Sequence, residues 1–121
     1  MSSIKNHLVK HLKRFPADRY VIAYSGGVDS HVLLHVFAAL KKDHAGLTIC
    51  AIHIHHGLQA KADDWAQHCE SVCENLVVPL EIIHVDARPK PGESPESAAR
   101  DVRYEALRAH IGATDILCTA Q

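Results

Sequence analysis

Tyr20-Val-Ile-Ala-Tyr24, Ser25-Gly-Gly-Val-Asp-Ser30 and His31-Val-Leu-Leu-His-Val-Phe-Ala-Ala-Leu40 follow one another without a break. The first run is short and apolar on both parities, which predicts a strand over 21–24 covered on two faces. The last has apolar residues at helical spacing, with Val32, Leu33, Val36, Phe37 and Leu40 directed inward. Between them lies a small turn of hydroxyls and glycines. Strand, turn and helix N-terminus in series make an anion site, because unpaired N–H groups and the positive end of the helix dipole converge there. Gly26 and Gly27 let the backbone approach an anion with no Cβ in the way. Ser25 and Ser30 add hydroxyl donors. Asp29 is the odd member. A carboxylate repels phosphate unless a cation lies between them, which points to Mg²⁺ at Asp29.

Outward from this junction the pattern alternates. Residues 4–15 place Ile4, Leu8, Leu12 and Phe15 on one helical face, and Pro16 and Asp18 end that helix. After the helix that follows the loop, residues 47–54 predict a second strand. A third helix over 62–76 carries Trp65, Cys69, Val72, Cys73 and Leu76 on one stripe, and a third strand covers 80–85. Residues 88–94 form a loop dense in proline and charge. Ser94 then caps a fourth helix with Pro95 at its first position and Glu96 in its first turn, running to about residue 110 with Ala99, Val102, Ala106 and Leu107 inward. Residues 114–119 give a fourth strand. This order predicts an α/β fold: an open parallel sheet of four strands, right-handed crossovers and helices on both faces.

The histidines and cysteines do not make a metal site by spacing. His7 and His11 stand four apart without a third ligand, and His31 and His35 lack the glutamate of H-E-x-x-H. His53 and His55 share one side of a strand while His56 lies in the turn, so a polar strand end lining a nucleotide pocket accounts for them better. Cys69 and Cys73 sit on an apolar stripe and belong to the core. Four cysteines in apolar, periodic segments lead to the expectation of a reduced, cytoplasmic protein. The chain of 121 residues is 47% apolar and 22% charged, with a formal net charge of −1. That balance makes no electrostatic case for nucleic acid, and no apolar run reaches membrane-spanning length.

The 25–30 turn lacks the lysine of the G-x-x-x-x-G-K-[ST] loop. Its SGGxDS pattern instead resembles the PP-loop of the ATP pyrophosphatases, which split ATP between the α- and β-phosphates and leave AMP on a substrate oxygen. Ser25, Gly26, Gly27, Asp29 and Ser30 fill every fixed position. Two further segments narrow the resemblance: His53-Ile-His-His-Gly-Leu58 and Glu96-Ser-Ala-Ala-Arg-Asp-Val-Arg-Tyr104. In that order, nearly the whole chain resembles the amino-terminal ATP-binding domain of the tRNA(Ile)-lysidine synthetase family.

The resemblance implies an adenine nucleotide α-hydrolase-like fold and a ligase acting on the wobble cytidine of tRNA(Ile) with a CAU anticodon. ATP adenylates the cytidine C2 oxygen, the ε-amine of free L-lysine attacks C2, and AMP leaves. On that basis Ser25, Gly26, Gly27, Val28, Asp29 and Ser30 hold the pyrophosphate, with Asp29 on Mg²⁺. Backbone near Ile54 and His55 meets the adenine, and Arg100 or Arg103 neutralises phosphate charge during adenylation. Family members continue with a His-x-x-Asp-Asp-Gln segment and tRNA-recognising domains. The expectation is therefore that 1–121 is an amino-terminal PP-loop domain incomplete at its carboxyl end, inactive alone and with an open sheet edge. A PP-loop tRNA thiolase and a non-catalytic ATP-binding module are the alternatives. Core positions for the cysteines weigh against the thiolase.

Overall fold

The computed structural model describes residues 10, 19–44, 46–55, 61–86, 88 and 90–119. The expected helix over 4–15 and the 56–58 part of the histidine segment lie outside these, Lys10 excepted. Seven elements run β1 (Arg19–Ala23), α1 (Val28–Asp43), β2 (Ile49–His55), α2 (Lys61–Leu76), β3 (Leu80–His84), α3 (Pro95–Ala109) and β4 (Asp115–Cys118). The strands form one parallel sheet in the order β3-β2-β1-β4. The α/β alternation legible in the sequence is therefore the alternation of the fold.

Strand order determines where the helices go. From β1 to β2 to β3 the chain steps one way across the sheet. From β3 it returns over two strands to β4, on the far side of β1. Right-handed crossovers in opposite directions place their helices on opposite faces. Side-chain burial agrees. Tyr20, Ile22, Tyr24, Ile49 and Ala51 join Leu34, Phe37 and Ala38 of α1 and Cys69 and Cys73 of α2 in one apolar cluster. Val21 and Ile52 join Leu107 of α3 in a second, flanked by Ile54, Ile83, Tyr104 and Leu117. Successive β1 residues feed alternate clusters, as the period of a strand requires. The chain reverses direction between β1 and β4, and ligands of such sheets bind in the crevice at the carboxyl ends of the strands flanking that point.

Several sequence expectations shift by a turn or a face. Val32 is exposed and Leu34 takes the inward position on α1, because the helix opens at Val28 with its stripe rotated toward Ser30, Leu34 and Phe37. On α3 the buried residues are Ala98 and Leu107, while Ala99, Val102 and Ala106 are half-buried. Ser94 caps α3 as expected: its hydroxyl accepts from the Ser97 N–H at 3.2 Å, with Pro95 in the first turn. The larger correction concerns Trp65. It leads the α2 stripe in sequence, but it is exposed, and burial on this helix begins with Ala66 and continues through Cys69 and Cys73.

Candidate active site

The turn after β1 carries the predicted anion site. Gly26 has φ +88°, a conformation that glycine enters without a Cβ penalty. Gly27 is the N-cap of α1 and supplies no side-chain cap, so first-turn N–H groups of this helix keep no side-chain acceptor among the described residues. An uncapped helix start directly after a parallel strand is a standing acceptor of negative charge.

Hydroxyls brace the turn from within. The Gly27 N–H donates to Ser25 Oγ at 3.2 Å, and Ser30 Oγ donates to the Gly27 carbonyl at 3.2 Å. Ser25 and Ser30 hydroxyls are 3.0 Å apart. With the Ser30 proton committed to Gly27, that contact has Ser25 as donor. Each hydroxyl therefore donates once and accepts once inside the loop, and Ser30 is buried. Asp29 projects to solvent from the first turn of α1, where the helix dipole favours a negative charge.

Trp65 reaches this turn from α2. Its Nε1–H donates to the Ser25 carbonyl at 2.7 Å. A Cβ built on Gly26 would lie 2.8 Å from the indole Nε1 and Cε2. Glycine at 26 thus admits the tryptophan as well as meeting the backbone conformation. His68, one turn along α2, stacks on the indole at 5.3 Å between centroids. Sequence periodicity does not separate Trp65 from the core stripe. The signal that could have done so is its place at the helix start, level with the strand ends.

Beneath the turn, His53 holds the tip of β1. Its Nδ1–H donates to the Tyr24 carbonyl at 2.9 Å in a buried setting. Burial is the main reason its pKa is lowered, so the ring is neutral near pH 7. Tyr24, buried beside Cys69 and Cys73, has its phenol pushed up to about 12, chiefly by desolvation, and so stays protonated; its hydroxyl lies 3.0 Å from His31 Nδ1. Burial also lowers the His31 pKa, with His35 and His68 adding to the effect.

At the end of β2 the backbone divides by parity. Ala51 and His55 bond toward β3, through Pro79 and through the Val85 N–H at 2.9 Å. Ile52 bonds toward β1, accepting from the Tyr24 N–H at 2.9 Å. Ile54, of the same parity as Ile52, directs its N–H and C=O to the β1 side, beyond the last β1 ladder pair at Ala23. That edge opens beside the phosphate turn. The His55 carbonyl already serves Val85. Its side chain is buried, with Nε2–H donating to Asp63 at 2.6 Å and the His84 ring 4.5 Å away, and Nδ1 has no partner among the described residues.

Arg100 and Arg103 lie on α3, across the sheet from α1 and α2. Arg100 is exposed, and the Arg103 guanidinium sits 5.3 Å from the Tyr104 ring centroid. No group of three or more His, Cys, Asp or Glu side chains with metal-binding geometry occurs among the described residues. No helix among them is long and apolar enough to cross a membrane. The cysteines are free. Burial raises all four thiol pKa values, to about 11 for Cys69, Cys73 and Cys118.

A phosphate turn between a parallel strand and an uncapped helix, at a reversal of strand order, defines a nucleotide-binding α/β domain. A family model described as the PP-loop domain matches residues 1–121, and the chain belongs to that ATP-binding family. It is similar to the tRNA(Ile)-lysidine synthases of Pseudomonas putida, 51% identical over 105 residues, and Pseudomonas fluorescens, 48% identical over 119. These alignments cover 87% and 98% of this chain but 24% and 26% of those proteins, so the chain spans about a quarter of the length of the curated relatives it matches. The corresponding enzyme of Methylococcus capsulatus is 45% identical over 106 residues, 88% of this chain and 24% of that protein. The solved U34-tRNA thiolase NcsA from Methanococcus maripaludis superposes with a TM-score of 0.74 at 21% identity, over 95% of this chain and 45% of that one. This second likeness is one of fold.

Proposed function

We propose that the chain is the amino-terminal ATP-binding domain, residues 1–121, of a cytoplasmic tRNA(Ile)-lysidine synthetase. The observation that carries the reading is the SGGxDS turn, which leaves β1 and enters α1 without a side-chain cap. The identity to lysidine synthases over nearly the whole chain supports the particular reaction. In it, ATP adenylates the C2 oxygen of the CAU wobble cytidine and releases pyrophosphate. The ε-amine of free L-lysine then attacks C2 and expels AMP.

The residues divide the work by position. Backbone N–H groups at 26 and 28–30 take the β- and γ-phosphates and stabilise the leaving pyrophosphate, whose charge grows as the α–β bond breaks, while the Gly27 N–H stays on Ser25 Oγ. Ser25 and Ser30 hold the turn in shape. The β1-facing backbone edge of Ile54, next to His55, meets the adenine. Arg100 or Arg103 offsets phosphate charge from α3. Asp29 suits Mg²⁺, which protein sites hold through one or two carboxylates together with substrate phosphates. When bound there, the ion would supply charge neutralisation on the polyphosphate.

Thiolase chemistry needs an accessible thiolate, whereas burial holds Cys69, Cys73 and Cys118 protonated at neutral pH. The deciding experiment uses the full-length protein with ATP, an in vitro tRNA(Ile) bearing CAU, and lysine. Pyrophosphate release that needs the tRNA, with lysine incorporated into it, is the expected result. With sulfide supplied in place of lysine, transfer of sulfur to the tRNA would assign the thiolase instead. ATP binding with no pyrophosphate release under any supply would assign a non-catalytic module.

A further inference from the structure

Trp65 does something to the phosphate turn that neither the SGGxDS pattern nor the fold requires. Its Nε1–H holds the Ser25 carbonyl at 2.7 Å. A trans peptide points its C=O and N–H in opposite directions, and no peptide among the described residues is cis. Anchoring the Ser25 oxygen on the indole therefore aims the Gly26 N–H away from it. The opposite orientation is open to the backbone. Turning the 25–26 peptide by half a revolution would carry Gly26 from φ +88° to roughly −90°, a region every residue adopts. It would also put the Ser25 oxygen where the N–H now points. In one orientation the turn offers a phosphate a donor, in the other a partial negative charge.

We propose that Trp65 is a positioning residue for the phosphate turn, selecting the orientation of the 25–26 peptide in which the Gly26 N–H faces the polyphosphate. Two further contacts hold the tryptophan in that role. The Gly26 backbone lies so close to the indole that a methyl at this position would collide with it, and His68 stacks on the ring. The exposure of an aromatic residue otherwise expected in the core follows from this task. The inference rests on the reading of the turn as an ATP site.

The test uses the full-length protein and α,β-methylene-ATP, which cannot be split at the α–β position. Trp65→Phe keeps a ring and removes the donor. A hydrogen bond to a charged group is worth enough that its loss should weaken analogue binding about tenfold. The KM for ATP should rise with it while kcat changes little, since the contact is made before and during reaction. In wild-type protein labelled with ¹⁵N-glycine, the Gly26 amide proton should move downfield as the analogue saturates. Unchanged affinity in a folded Trp65→Phe protein would overturn the inference. So would a Gly26 resonance that stays in place in saturated wild-type protein, a readout that does not depend on any variant folding. Wild-type protein that binds no analogue would overturn the ATP reading itself.

Discussion

Asp29 and His53 show how differently single residues serve one turn. Asp29 stands free in solvent at the start of α1, held by no other side chain among the described residues. Its removal leaves packing untouched. Asp29→Ala should fold like wild type while its affinity for Mg·ATP drops about tenfold or more, as expected on losing a contact to a charged group. Calorimetric titration with and without Mg²⁺ checks this, and unchanged Mg·ATP affinity would remove the metal role. His53 works from below, inside the core, through its hydrogen bond to Tyr24. Burial lowers its native pKa, and that of His31, below the ordinary imidazole value of about 6.5. As pH falls through about 6.5 the unfolded chain therefore takes up protons that the native state resists. Stability should be full above that value and decline below it, toward the lowered native pKa values. Urea midpoints at pH 7.5 and 5.5 measure the slope, which His53→Gln should flatten. The sequence announces Asp29 openly, because its place in SGGxDS has few other uses. The work of Trp65 is marked there only by its place at the helix start, not by periodicity. Residues 65, 69, 72, 73 and 76 make an uninterrupted helical stripe, and periodicity carries no information about where along the strands a helix begins.

Elements end where backbone geometry allows, and α2 ends against its own sequence. The Val78 N–H returns to the Cys73 carbonyl at 2.9 Å and the Val77 N–H to the Glu74 carbonyl at 3.1 Å. This pair of bonds is the Schellman motif, with buried Val78 and Cys73 supplying its apolar contact. The motif needs a left-handed residue at 77, and an exposed valine stands there at φ +57°. A β-branched side chain in that conformation costs about 1–2 kcal/mol. Val77→Gly should therefore raise stability by about 1 kcal/mol, read as a higher urea midpoint with an unchanged slope. An equal or lower midpoint would mean that the neighbouring backbone already relieves the strain. No pattern in Glu74-Asn-Leu-Val-Val78 marks a left-handed stop. The start of α3, by contrast, is legible in Ser94-Pro-Glu96, since each of these residues favours its cap position for a local reason. Caps made by side chains can be read from sequence, whereas caps made by backbone bonds await the structure.

At the scale of the whole molecule, strand order favours Arg100 over Arg103 for the proposed role in neutralising phosphate. β3 delivers the chain at the carboxyl end of the sheet, where the phosphate turn lies, and α3 then runs back toward the start of β4. Its first turn is therefore its turn nearest the nucleotide. With a rise of about 1.5 Å per residue, Arg100 stands roughly 4–5 Å closer to that end than Arg103. Arg100 is also exposed, with no ion pair among the described residues, whereas Arg103 is half-buried with its guanidinium beside Tyr104, a residue that packs on the second apolar cluster. A long, unrestrained cation near the carboxyl ends of the strands suits phosphate neutralisation, and a stacked one farther away suits packing. In the full-length enzyme, Arg100→Ala should lower the rate of pyrophosphate release about tenfold or more with an unchanged melting temperature. Arg103→Ala should act in the opposite sense, lowering the melting temperature by a few degrees, about 1 kcal/mol in a domain of this size, with a smaller effect on rate. Measured side by side, the two variants separate charge from packing. A larger rate loss at Arg103 would mean that the crossover from β3 carries α3 deeper into the crevice when nucleotide is bound.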